Sequence, residues 1–184
     1  MNTNVAGTTL FALLAAAVIG LAGVAAPASA QSIKEEDSRA ALNTLYASSP
    51  RAKQLGETAN GILVFPNVSK AGFIIGGQSG DGVLLVQGKT VGYYNTSAVS
   101  VGLQAGVQSY AYVLFFMSDE VLKHFSNSNN FEVGVGPSIV VIDAGAAKDV
   151  NTLTAKSDVY AMIFDQKGLM AGAGLQGSKI TKLK

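Results

Sequence analysis

Past residue 30 the apolar positions of this chain fall into short runs, and their spacing changes from helical to alternating near residue 60. Between Ser32 and Ala47, Ile33, Ala41, Leu42, Leu45 and Tyr46 sit among Lys34, Glu35, Glu36, Asp37 and Arg39. This predicts an amphipathic helix with acids in its first turn, at the positive end of the helix dipole. Ser49 and Pro50 predict an N-cap followed by proline at the first helical position, opening a second short helix through Arg51, Lys53 and Leu55 to Gly56. Helices this short are marginal alone, so both are expected to pack on a sheet.

The stretch from Gly61 to Met117 organises the rest. Its β-branched and aromatic runs are broken by Pro66 and by glycines 72, 76, 77, 80 and 82, the pattern of closely spaced strands and tight turns. Ile62–Phe65 is expected as a buried strand ended by a turn at Pro66 and Asn67. Ala71–Gly77 and Gly82–Gln87 flank Gln78–Asp81, where Asp81 followed by Gly82 is a hairpin signal that makes Asp81 a turn former. A second turn is expected at Gly88–Thr90, leading into Val91–Tyr94. The longest alternation follows: Val99, Val101, Leu103, Ala105 and Val107 on one face, Ser100, Gly102, Gln104, Gly106 and Gln108 on the other. That period predicts one strand whose small polar face meets solvent or lets another backbone approach. From Tyr110 to Met117 both faces are apolar and should be covered on both sides.

Ser118, Asp119 and Glu120 predict a capped helix running through Val121, Leu122 and Phe125. Phe131–Val135 then alternates as a strand ending at Pro137, and Ile139–Ile142 is a further apolar run. Ala144–Thr154 reads as an irregular connection, and Val159–Phe164, Asp165–Gly168 and Leu169–Leu175 as a C-terminal hairpin. Lys179, Lys182 and Lys184 read as a solvated basic tail. The expected fold class is α+β, mainly β: a curved antiparallel sheet or partly closed β-barrel of about eight to ten short strands, with two N-terminal helices and one short internal helix.

Residues 1–30 hold no charged side chain, are apolar from Leu10 to Ala26, and end in small residues suited to cleavage between Ala30 and Gln31. They are expected to be a signal peptide, with a retained membrane anchor as the competing reading, leaving residues 31–184 as one exported domain, periplasmic or secreted. The chain has no cysteine, which excludes disulfides, thiolate chemistry and lipid attachment at cysteine. Its 13 Lys and Arg against 12 Asp and Glu argue against nucleic acid as a partner.

No catalytic constellation, cofactor motif or metal set emerges. Gly172–Gly177 matches the dinucleotide-binding glycine pattern but has no room after it for the helix and second strand that motif needs. His124 is the single histidine and, at a helix C-terminus, suits the dipole rather than a catalytic base. Arg51, Lys53, Lys70 and Lys89 lie in expected turns or helix starts; they are the candidate contacts to lipid headgroups if folding gathers them.

At Ala59–Pro66, Lys70–Gly72, Gly76, Gly77 and Gly80–Leu84 the chain resembles a SYLF domain. The likeness continues through Val101–Gln108, Met117–Phe125, Gly168–Gly172 and Leu175–Gly177, nearly all of residues 31–184. The resemblance implies a lipid-binding module: eukaryotic relatives bind phosphoinositide membranes, some fungal members bind actin filaments, and bacterial relatives are commonly exported. The resulting expectation is a non-enzymatic protein without cofactor that binds lipid or a membrane surface. A structural or protein-interaction role in the cell envelope is the alternative.

Overall fold

The computed structural model describes residues 28–73, 75–101, 106–134, 136–144, 157–168, 175 and 177–183. Helices α1 (Ala28–Ser48) and α2 (Pro50–Thr58) precede four long strands, β1 (Gly61–Gly72), β2 (Ile75–Val86), β3 (Lys89–Val101) and β4 (Gly106–Phe116). Then come α3 (Asp119–Asn127), β5 (Asn130–Glu132), β6 (Ile139–Asp143), β7 (Val159–Gly168) and β8 (Lys179–Lys182). The strands form one eight-stranded sheet in the order β5-β8-β3-β2-β1-β4-β7-β6. The first three strands make a meander and β4 returns beside β1, a Greek-key order. The expected α+β, mainly β class holds, with the sheet curved as a half-barrel. Its one departure from antiparallel pairing is β6 alongside β7.

Several expected turns are strand. Pro66 and Asn67 do not end β1 but form a bulge inside it. Between Phe65 and Val68 on one side, and Val64 and Ser69 on the other, β1 holds one residue more than β4 or β2 opposite. A proline has no N–H to give a ladder, so it falls where pairing is already interrupted. Asp81 and Gly82 are likewise inside β2, opposite Asn95 and Tyr94 of β3. The glycines there mark crowding rather than a turn. A Cβ on Gly80 would lie 2.5 Å from the Asn67 carbonyl oxygen, and one on Gly82 would lie 2.5 Å from the Phe65 ring. The true β2–β3 turn is Gln87 and Gly88, whose φ values of 50° and 73° are those of a two-residue hairpin loop.

Further along, the predicted single strand over residues 99–108 is the end of β3 and the start of β4, with residues 102–105 outside the described set. The expected turn at Asp165–Gly168 is the end of β7, and residues 169–174 lie outside the described set, as does most of the Gly172–Gly177 motif. The basic tail is strand β8, inserted between β3 and β5, although its Lys179 and Lys182 remain exposed.

Both sheet faces carry a packed core, the outer one over the part nearer Gly61. On the outer face Leu42 and Leu45 of α1 and Ala52 and Leu55 of α2 pack on Val64, Val83, Leu85, Val113 and Phe115. Ser49 caps α2 as expected, its hydroxyl accepting from the Ala52 amide at 3.2 Å. The expected acidic first turn of α1 is not there: the helix begins at Ala28, which moves Glu35, Glu36 and Asp37 into its middle. On the inner face α3 inserts Phe125, whose ring lies 4.8–5.2 Å from those of Phe116, Tyr94 and Phe131. Ser118 caps α3 by accepting from the Val121 amide.

Gly82→Ala should therefore lower stability by about 1–3 kcal/mol, the usual cost of overpacking. Gly77→Ala, where an added Cβ meets nothing closer than 4.0 Å, should be close to neutral. Urea midpoints of the two variants check this.

Candidate functional site

The end of the sheet where β1 turns into β2 and β3 gives way to β4 reverses the ordinary order of burial. Register across the four strands aligns Val99, Gly77, Ala71 and Val107 in one transverse row, with Ile75 on the same outer face of β2 one step nearer the end. Phe73, Ile75, Val99 and Val107 are 70, 67, 80 and 68 % exposed. The neighbouring row, on the inner face, is Gln78, Lys70 and Gln108, only 7, 8 and 2 % exposed. Water is thus offered the valines, and the interior receives the amides and a lysine.

The inner polar groups are partly paired among themselves. Tyr110 Oη donates to Gln78 Oε1 at 3.0 Å, and Gln78 Nε2 donates to Ser178 Oγ at 2.9 Å. Tyr112 Oη donates to Thr96 Oγ1 at 2.7 Å. Burial pushes the Tyr110 phenol up to about 12 despite its bond to Gln78, and raises Tyr112 further, so both remain neutral donors. Gln108 Oε1 is buried with no partner.

Along β2 and β3, from the row of Asp81 and Asn95 to the Gln87–Gly88 turn, α1 is held to the outer face by polar contacts. Lys34 Nζ lies 2.5 Å from Asp81 Oδ2, and Asn95 Nδ2 donates to Asp81 Oδ1 at 2.8 Å. Glu35 accepts from the Thr90 hydroxyl, and Arg39 donates to the Gly88 carbonyl oxygen at 3.0 Å. Burial opposes ionisation of Asp81, but the bonds from Asn95 and Lys34 with the Lys34 charge outweigh it and lower its pKa. The Thr90 bond, then Arg39, lowers Glu35. Asp81, expected in a turn, is instead a tether for the first helix.

The four basic candidates are not gathered into one patch. Arg51 and Lys53 are exposed on α2, and Lys89 begins β3 beside the Gln87–Gly88 turn, all toward the opposite end of the sheet from the apolar rows. Lys70 is near the apolar end but turned inward. His124 is exposed in the last turn of α3, beside a shallow cleft that Glu120, Pro137 and Asp158 also line. Another cleft, of about 330 Å³, lies between α1 and the start of β1, lined by Arg39, Tyr46, Asn60 and Gly88. Among the described residues no group of three metal-ligating side chains comes together, and no helix is long and apolar enough to cross a membrane.

Sequence reading misses the apolar end because it places Val99 and Val107 on one strand and looks for solvent or a close-packed backbone on the small polar face between them. The available signal is the flanking polar set: three long polar side chains, Lys70, Gln78 and Gln108, each occupy the alternate position beside an exposed or glycine-lined row.

Residues 97–184 match the family described as "Ysc84: Las17-binding protein actin regulator". Over 129 residues the chain is 27% identical to Protein YSC84 of Saccharomyces cerevisiae, covering 66% of this chain and 27% of that protein. The chain therefore spans about a quarter of the length of that relative. These matches make the chain similar to Ysc84-type proteins, the family match falling in its C-terminal part.

A lowered carboxylate stabilises the fold at pH above its ordinary value of about 4, and that contribution is lost as pH falls through the lowered folded value. Asp81→Asn should thus lower the urea midpoint at neutral pH, by under about 1 kcal/mol for so exposed a pair. The difference from the unsubstituted protein should shrink as pH drops below about 4.

Proposed function

We propose that this chain is a non-enzymatic domain that binds membrane surfaces by dipping the apolar end of its sheet among lipid acyl chains. The observation that carries the reading is the inverted alternation, apolar outward and polar inward, over Phe73, Ile75, Val99 and Val107. Strands alternate in that sense where their outer face meets hydrocarbon. Four apolar side chains held in water at one end of the sheet favour a partner that removes them from it. Full burial stabilises each by about 1.5–3 kcal/mol, before the costs of association. Near-neutral net charge agrees with a contact led by hydrophobic burial. The relationship to Ysc84/SYLF-type domains supports the lipid reading.

The chain contains no tryptophan, so Phe73→Trp gives a single reporter at the apolar end. Its emission should shift to the blue on addition of phosphatidylcholine vesicles and be quenched by lipids brominated on their acyl chains. An unchanged spectrum sinks the reading. A blue shift that grows with protein concentration in the absence of lipid replaces it with self-association. Replacing Phe73, Ile75, Val99 and Val107 together by Ser, in the chain as it stands, should weaken vesicle binding by roughly tenfold or more.

A protein partner is the second reading, favoured by the match of residues 97–184 to an actin-regulator family. Pelleting with actin filaments that survives the four serine substitutions would support it.

Residues 1–30 support export, with cleavage between Ala30 and Gln31 placing the domain in the periplasm or outside the cell. Intact mass of the protein recovered from those compartments should correspond to a chain starting at Gln31. A full-length mass there argues for a retained anchor.

A further inference from the structure

We infer that Lys167 and Lys179 are the phosphate-contacting residues of the membrane-bound protein, set at headgroup level by the same strands that carry the apolar end. The inference rests on the membrane reading above and fixes which lipid group the sheet meets next. One register step behind the valines, Lys179, Ser97, Ser79, Ser69, Ser109 and Lys167 align in a single row across six strands. Directly opposed residues in antiparallel pairs share a face, so this row lies on the outer face with Val99 and Val107. Ser69, Ser79, Ser97 and both lysines are exposed, and Ser109 is half-buried.

Two residues along a strand are about 7 Å, so a sheet that immerses its valines brings this row to the boundary between acyl chains and headgroups. The groups found there are hydroxyls, which donate to phosphate oxygens, and two ammonium groups, which complement phosphate charge. The next row inward holds Asp81 and Asn95, with Lys34 of α1 upon them, a layer suited to water. On β8, β3 and β2, hydrocarbon, phosphate and water thus meet apolar, hydroxyl and ammonium, and polar levels in turn, while on β4 and β7 the third level is the buried Ala111 and Phe164.

Two carboxylates face these lysines. Asp165 Oδ2 accepts from Lys167 Nζ at 3.0 Å, with side chains 50 and 70 % exposed, and Glu132 of β5 stands opposite Lys179. An ion pair so exposed is weak, and a phosphate can displace it. Asp165 therefore tempers Lys167 rather than cancelling it. Its φ of 50° is one that asparagine also adopts, so Asp165→Asn removes the charge without disturbing the backbone.

The test uses the chain carrying Phe73→Trp and vesicles of phosphatidylcholine with and without phosphatidylglycerol. Lys167→Gln and Lys179→Gln should each weaken binding to the anionic vesicles by roughly fivefold, with a smaller effect on pure phosphatidylcholine. Asp165→Asn should strengthen anionic binding. Added salt should erase these differences while leaving the blue shift of the tryptophan reporter in place. Titrations of the reporter that coincide in all the charge variants overturn this assignment and leave the membrane reading standing. A reporter that shifts in no vesicle removes the membrane reading itself. Inorganic phosphate that abolishes the lysine effect without vesicles being bound would reassign the row to free anions.

Discussion

The architecture depends on one crowded crossing, where β1 carries an extra residue at Pro66 and Asn67 while β2 opposite carries glycines at 80 and 82. A bulge raises local twist and bends the strand that contains it. The bend drives Val68, the Asn67 carbonyl and the Phe65 ring into the space where side chains of β2 would stand, and only glycine leaves that space free. Phe65 is then able to stack on Tyr112 with ring centres 4.7 Å apart, which joins the bend to the inner core. Curvature follows from this joint, and curvature gives the sheet an inner face narrow enough for Phe125 of α3 to fill.

The same joint divides the strands into two regimes. On the side of Gly61, helices cover the outer face and the alternation is the ordinary one, with Val64, Val83 and Val113 inward against α1 and α2. Beyond the bulge the outer face is exposed at Ser69, Ala71, Gly77 and Ser79, and it is there that valine, isoleucine and phenylalanine are presented. Side-chain parity along β4 is unbroken from Phe115 through Val113, Ala111 and Ser109 to Val107, so a single face passes from helix-covered to bare. A hydrophobic covering is supplied by the chain itself over one half of that face and is missing over the other. The polar inner row of Lys70, Gln78 and Gln108 is the complement of that arrangement, since residues two apart cannot exchange faces without a second bulge.

Much of the scaffold is legible in the sequence because its signals are local. The Ser49–Pro50 and Ser118 caps, the short internal helix, the β-rich class and the Tyr110–Phe116 run buried on both sides all follow from neighbouring residues. The turns expected at Pro66–Asn67 and Asp81–Gly82 fail for one cause: proline and glycine read as turn residues, where β1 and β2 use them for a bulge and a close approach. Those two uses differ only in what lies across the sheet, and that is a long-range fact. The interior position of β8 is hidden for a similar reason, because Lys179–Lys182 offers only Ile180 to the core and the strand exists through its pairing with β3 and β5. The apolar end is hidden too. Alternation identifies two faces of a strand but not which one the fold encloses.

The tether of α1 lies on the boundary between the covered and bare halves of the outer face, and its chemistry suits that place. Lys34, Asp81 and Asn95 are polar groups one row behind the exposed serines of β2 and β3, where the outer face passes from bare to helix-covered. Had this level been apolar, the hydrophobic surface would run unbroken from the end of the sheet to the helices, with nothing to set how far it enters a lipid phase. A charged band instead makes deeper immersion costly, since burying an ion pair sacrifices more solvation than it recovers in attraction. In the proposed membrane-bound state, depth of insertion would be limited by residues whose first task is to hold a helix in place, so that one set of contacts would serve both the stability of the fold and the geometry of that encounter.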